Sequence, residues 1–249
     1  MRRFSSDWNI FMNKIRDFFE ENDGQVWFRG HSNLGTNGDH LDYKLNSSLF
    51  RQRGDLQSIL KLENDYTYEF FHTGYNLHKI ENIWSLMFVM QHHGLPTRFL
   101  DWTTSLPTAL YFARQGWQLG KNKPSLWLVN PIRLNELLNS SSTIEVLRTE
   151  QDYFKTVRSL QNSRAVASIK NSNRINAQQG NFTMQGSLLP LDEEVYQAGG
   201  NSRIITEIEI PDAIGFDLSI FLAMAGVNHF SVFPDLDGLS KVITTNRYD

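Results

Sequence analysis

Gln91-His92-His93-Gly94-Leu95-Pro96-Thr97-Arg98-Phe99-Leu100-Asp101-Trp102-Thr103-Thr104-Ser105 joins two apolar, helix-like stretches and holds an unusual density of polar groups. Two imidazoles, a guanidinium, a carboxylate and several hydroxyl and amide groups crowd into one short connection. A buried polar group without a partner costs about 1–3 kcal/mol. These groups therefore satisfy one another, or they surround a polar ligand.

Working outward, residues 82–92 read as a helix carrying Trp84, Met87, Phe88 and Gln91. Gly94 stops it, because glycine supplies the left-handed cap, and Pro96 follows just beyond. A further helix begins near Ser105. Pro107 falls in its first turn, where a missing N–H does no harm, and Ala109, Leu110, Phe112 and Ala113 follow. Residues 5–21 form an amphipathic helix with Trp8, Phe11, Ile15, Phe18 and Phe19 at helical spacing and Ser5, Ser6 or Asp7 as cap. Residues 25–29 read as a strand with Val26 and Phe28 on one face and Trp27 and Arg29 on the other. Residues 59–75 are helical, with Leu62, Tyr66, Phe70 and Phe71 facing inward.

Residues 125–129 alternate as a strand, and Asn130-Pro131 opens a helix to about Leu138. The segment 140–175 is rich in Arg148, Lys155, Arg158, Arg164, Lys170 and Arg174. Strands are expected at 180–185 and 203–210, the latter with Ile204, Thr206, Ile208 and Ile210 on one side. A helix over 216–225 and a short strand over 230–233 complete the pattern. The expected architecture is one α+β domain over residues 1–249, with an N-terminal helix in 1–24 and the core in 25–240.

With 249 residues, 40% of them hydrophobic, the chain can bury a substantial core. A net charge of -3 argues against a general polyanion binder, so a nucleic-acid partner requires a local basic patch. The absence of cysteine excludes disulfides, thiolate zinc sites and cysteine nucleophiles. Met1 to Asp7 lacks the apolar run of a signal peptide, and no window approaches the roughly 18 apolar residues of a membrane span. A soluble cytoplasmic protein without a membrane partner is expected.

Several side chains suit chemistry. Arg29, followed by Gly30, presents a fork that binds two phosphate or carboxylate oxygens at once. A structural ion pair is the alternative. Adjacent His92 and His93 point about 100° apart on a helix, so no metal site is expected. Arg98 and Asp101 are expected to pair with each other. Trp102 fills the core or stacks on a ring. Among Thr103, Thr104 and Ser105, one caps the next helix. Gln178 and Gln179 precede a strand, and Glu207 and Glu209 share the polar face of another. Neither a Gly-x-Ser-x-Gly elbow, nor a Gly-x-x-x-x-Gly-Lys loop, nor Gly-x-Gly-x-x-Gly is present.

Taken together, Trp27-Phe28-Arg29-Gly30, the 91–105 run, Ala109-Leu110-Tyr111-Phe112-Ala113, Gln178-x-Gly180-x-Phe182-Thr183 and Phe233-Pro234-Asp235-Leu236-Asp237-Gly238-Leu239 resemble the FRG domain family. A second resemblance is to ADP-ribosyltransferases of the Arg–Ser–Glu class. Phe28-Arg29-Gly30 resembles their first element, and Trp102-Thr103-Thr104-Ser105 is similar to the second. At the third, Gln178 or Gln179 stands where a glutamate is expected, with Glu207 and Glu209 as alternatives. This resemblance implies a mixed or antiparallel sheet split into two small sheets with flanking helices. It also implies an NAD+-using toxin or defence effector, with Arg29, Ser105, Gln178 and Glu207 as catalytic residues. Arg29, Gly30, His93, Thr97, Arg98, Asp101, Trp102, Thr103 and Phe182 would hold NAD+. The implied partners are a macromolecular acceptor (protein, RNA or DNA) and an antitoxin or inhibitor protein. A non-catalytic nucleotide- or nucleic-acid-binding module, or an NAD+ or nucleotide hydrolase, is the alternative.

Overall fold

The computed structural model describes residues 3–35, 38, 40, 43–147, 160–167, 169–170 and 172–245. Alternating apolar residues build strands β1 (Trp27–His31), β2 (Phe99–Thr103), β3 (Ser125–Val129), β4 (Glu145–Val146), β5 (Arg164–Ala167), β6 (Gly180–Met184) and β7 (Ile205–Glu209). Among the described residues they form one seven-stranded sheet in the order β4-β5-β6-β2-β1-β3-β7. Only β4 and β5 run parallel; the other neighbours are antiparallel. The expected division into two small sheets is corrected to one continuous sheet. Its two halves meet at a single register pair between β1 and β2, Phe28 opposite Thr103.

Both faces are covered, which sets where each helix lies. Helices α1 (Ser6–Glu21), α2 (Leu56–His78), α3 (Ile83–His92), α4 (Leu106–Arg114) and α5 (Pro131–Asn139) belong to the first part of the chain. Helices α6 (Asn173–Ala177), α7 (Leu191–Gln197), α8 (Gly215–Met224), α9 (His229–Val232) and α10 (Leu236–Thr245) follow. Trp8, Phe11, Ile15 and Phe18 of α1 pack with α4 and α8 against Phe28, Leu126, Leu128 and Ile208 of the sheet. Each such side chain contributes about 1.5–3 kcal/mol on burial. Trp84, Met87 and Phe88 of α3 cover Phe99, Phe182 and Met184 on the same face. On the opposite face, Leu134 and Leu138 of α5 and Leu191 and Val195 of α7 meet Trp27, Trp102, Trp127 and Ile205.

The helix ends follow local chemistry. The side chains of Ser5, Asp55, Asn82, Ser105 and Asn130 each accept a backbone N–H in the first turn of the helix they precede. Gly94 adopts φ of +84°, the conformation that ends α3.

Four expectations are corrected. Residues 229–232 form α9 rather than a strand, fixed by a reciprocal Asn228–Ser231 capping box. Strand β7 buries Ile208 on one face and Ile205 on the other, because the sheet is covered on both sides. In α2, Leu62, Tyr66 and Phe70 pack against the core as expected, but the most buried positions are Ile59, Glu63 and Thr67, and Phe71 is exposed. Arg98 does not pair with Asp101. Its guanidinium is fully buried against Glu63, with Nε donating to Oε1 at 2.7 Å and Nη2 donating to Oε2.

Candidate functional site

Helices α3 and α4 cover neighbouring parts of one sheet face, and a cavity of about 520 Å3 lies beside β1, β2 and β6, lined by side chains from both faces of β1. That volume lies within the range of about 300–1,000 Å3 found for small-molecule sites. Helix α6 closes the side beyond β6, contributing Arg174 and Ile175.

Beyond the Phe28–Thr103 pair, β1 and β2 diverge, and the gap is bridged by a side chain. Arg29 Nη1 donates to the Asp101 backbone carbonyl at 2.7 Å and lies 3.9 Å from Asp101 Oδ2. Arg29 Nε donates to His31 Nε2 at 2.9 Å. Two of its nitrogens are thereby fixed, while Nη2 has no hydrogen-bond partner among the described residues. The Arg29 side chain is 19% exposed. Burial pulls its pKa down to about 10, opposed by Asp101 and reinforced by Arg51, so the guanidinium remains charged at neutral pH.

His31 is defined by that contact. A guanidinium only donates, so Nε2 accepts and the ring proton sits on Nδ1. Burial, aided by the charges of Arg29 and Arg51, lowers the His31 pKa to about 2 and keeps the ring neutral. His31 Nδ1 has no hydrogen-bond partner among the described residues. The ring meets Tyr43 edge-on at 6.4 Å, and the Arg51 guanidinium lies 5.9 Å from the Tyr43 ring centre.

Gly30 serves packing rather than ligand access. A Cβ there would stand 1.9 Å from the Ala109 carbonyl oxygen and 2.6 Å from the Ala113 nitrogen. Helix α4 rides directly on β1, through its fully buried Ala109 and Ala113, and this fixes the strand that carries Arg29.

Asp101 is positioned through a chain of polar contacts. Thr97 Oγ1 donates to Gln91 Oε1 at 2.9 Å, and Gln91 Nε2 donates to Asp101 Oδ1 at 2.7 Å. The Asp101 side chain is 63% exposed. Opposite it in register stands Phe182, whose ring stacks on Phe88 at 4.9 Å. Thr103 Oγ1 donates to the Gln178 carbonyl at 2.6 Å and accepts the Ser105 N–H at 2.9 Å. Gln178 Nε2 is taken by the Val232 carbonyl at 3.2 Å. Gln179, next to it, has φ of +48°, a left-handed backbone held by Thr104 N–H donating to its carbonyl at 3.2 Å.

Of the residues singled out from sequence, Arg29, Gly30, Asp101, Trp102, Thr103, Gln178 and Phe182 line the cavity. Ser105 lies outside the lining; its Oγ accepts the Thr108 N–H and hydroxyl, as the cap of α4. Thr97 is buried behind Gln91, and Arg98 is committed to Glu63. His93 is exposed and packs edge-on against His92 at 5.0 Å; it is His92 that lines the cavity. Burial, then the charges of Arg174 and His93, lower the His92 pKa, against a smaller opposing effect of Asp235. Glu207 and Glu209 are exposed on β7, two strands from β1, and lie outside the cavity.

Arg51, Tyr43, Gln91 and Arg174 also line the cavity, without having been assigned roles from sequence. Gln91 and Arg174 stood in polar runs; nothing local marked Arg51 or Tyr43. From the basic stretch, Arg164 pairs with Glu145 at 3.3 Å and Arg174 lies 4.7 Å from the Phe233 ring centre. Arg148, Lys155 and Arg158 lie outside the described residues. Among the described residues no group of three His, Asp or Glu side chains is placed to hold a metal, and no helix is long and apolar enough to cross a membrane.

Residues 24–121 match the FRG domain family. The matched segment runs from the turn before β1 through α4, so it contains Arg29, the whole 91–105 run and the Gly30–Ala109 contact. No curated protein and no solved structure matches the chain.

Proposed function

We propose that the cavity binds NAD+ and that the protein is an ADP-ribosyltransferase-like enzyme modifying a macromolecular acceptor. The observation behind this is the set of groups that one cavity brings together. Arg29, Arg51 and Tyr43 lie on one side of Asp101, and the Phe88–Phe182 stack lies on the other, with Arg174 also in the lining. Guanidinium groups, a carboxylate and aromatic rings suit the phosphates, ribose and nicotinamide of NAD+. Arginine pairs strongly with phosphate oxygens, and rings stack on flat heterocycles. Arg29, Asp101 and Phe182 reach this site from separate strands, β1, β2 and β6. As a toxin or defence effector, such an enzyme would act in the cytoplasm on protein or nucleic acid and be restrained by an antitoxin or inhibitor protein.

Incubation with NAD+ labelled in its adenylate half, together with cell extract, tests the proposal. Label is expected to pass to protein or nucleic acid, and Arg29→Lys is expected to weaken transfer. Absence of NAD+ binding by the wild-type protein refutes it.

A second reading is a non-catalytic nucleotide-binding module. It is favoured by one observation: among the described residues no glutamate lines the cavity, and Gln178 donates its amide to Val232 instead. Binding of NAD+ or ADP without release of nicotinamide supports this reading. Free ADP-ribose as the sole product would mark a hydrolase.

A further inference from the structure

We propose that Asp101 is the catalytic carboxylate of the site, in place of Gln178 or Glu207. This inference rests on the NAD+ reading above and assigns the acid that the reaction needs. Asp101 is the only acidic side chain lining the cavity among the described residues. Its orientation is set from two sides. Gln91 donates to Oδ1 at 2.7 Å and is itself held by the Thr97 hydroxyl, while Arg29 grips the backbone carbonyl and lies 3.9 Å from Oδ2. The carboxylate is nonetheless open, with 63% of the side chain exposed, and it sits in register opposite Phe182. An oriented yet accessible carboxylate between a guanidinium and a ring is where positive charge on a ribose would develop.

The step balances without a further reactant. The bond between C1′ of the ribose and the nicotinamide nitrogen breaks, and its electron pair returns to the pyridinium, releasing neutral nicotinamide. The Asp101 carboxylate stabilises the oxocarbenium-like sugar. A hydroxyl or amine of the acceptor, or water, bonds to C1′, and Asp101 accepts its proton and passes it to solvent. The Gln178 amide has no charge to offer, and Glu207 is on the edge strand outside the cavity.

The test measures nicotinamide release with cell extract as acceptor source, and NAD+ affinity by calorimetry, for wild-type, Asp101→Asn and Glu207→Ala proteins. Asparagine keeps an oxygen for Gln91 and so preserves the local bonding. Asp101→Asn is expected to slow release about 100- to 1,000-fold, as for loss of an electrostatic stabiliser, with affinity within about threefold. Glu207→Ala is expected to stay within about threefold of wild type. An active wild type whose Asp101→Asn variant releases nicotinamide at the same rate overturns the inference and leaves the NAD+ reading standing. A wild type that binds NAD+ but releases no nicotinamide overturns both the inference and the transferase reading.

Discussion

His31 makes the stability of this protein sensitive to acid in a calculable way. Its Nε2 faces the Arg29 Nε–H at 2.9 Å, so protonating the ring would set two donors against each other inside the fold. Burial, with Arg29 and Arg51 nearby, lowers its pKa to about 2, against an ordinary value of about 6.5 in the unfolded chain. A depressed histidine pKa means that the unfolded chain binds the extra proton first. The stabilisation is complete above about pH 6.5 and is lost progressively as pH falls toward the folded value. Each unit costs about 1.4 kcal/mol, so His31 accounts for about 2.7 kcal/mol of lost stability at about pH 4.5. His31→Gln supplies an oxygen for Arg29 and cannot titrate. Urea unfolding of both proteins, followed by tryptophan fluorescence from about pH 7 to about pH 4.5, isolates this effect, because groups common to both cancel. The wild type is expected to lose about 2–3 kcal/mol more than the variant over that range. Parallel stability curves would refute the buried, neutral Nδ1–H form of His31.

Four further outcomes follow from the same geometry. Gly30→Ala forces a methyl onto backbone atoms of α4; unfolding should show a loss of about 3 kcal/mol or more, unrescued by Ala109→Gly because the closest atom is a carbonyl oxygen. Glu63→Ala leaves the buried Arg98 guanidinium uncompensated; urea denaturation should register about 3–5 kcal/mol, and the double replacement Glu63→Leu, Arg98→Met should restore much of it. Arg51→Ala should weaken ADP binding about three- to tenfold in calorimetry, an effect that shrinks as salt rises. Glu207→Gln, exposed on the edge strand, should change the unfolding free energy by no more than about 0.5 kcal/mol.

What could be read directly from sequence was local. Strand β3, a cap among Thr103, Thr104 and Ser105, and the cap at Asn130 follow from alternation and from side chains beside their own backbone. The buried stripe of α2 could not be read so, because Glu63 looks like a solvent-facing residue until Arg98, 35 positions away, is brought against it. Phe230-Ser231-Val232-Phe233 alternates like a strand, but the Asn228 cap outweighs so short a pattern. At the site, Arg29, Asp101 and Phe182 were recognisable by residue type. That Arg29 would grip the carbonyl of Asp101, or that Arg51 would face the same cavity, depends on how distant strands and loops close on one another. The two glutamates of β7 show the converse: their spacing placed them on one face, and only the strand order put that face away from the cavity.

The single rung joining β1 to β2 has a mechanical consequence. Where the backbone ladder lapses, the Arg29 guanidinium acts as a cross-tie, fastening one panel of the sheet to the other through the Asp101 carbonyl. Removing that side chain both takes one of three arginines from the cleft and unfastens the seam, so an inactive Arg29→Ala protein would conflate two losses. Lysine at this position keeps the charge without the forked tie, and comparing the two substitutions separates attraction for the ligand from the width of the opening that receives it.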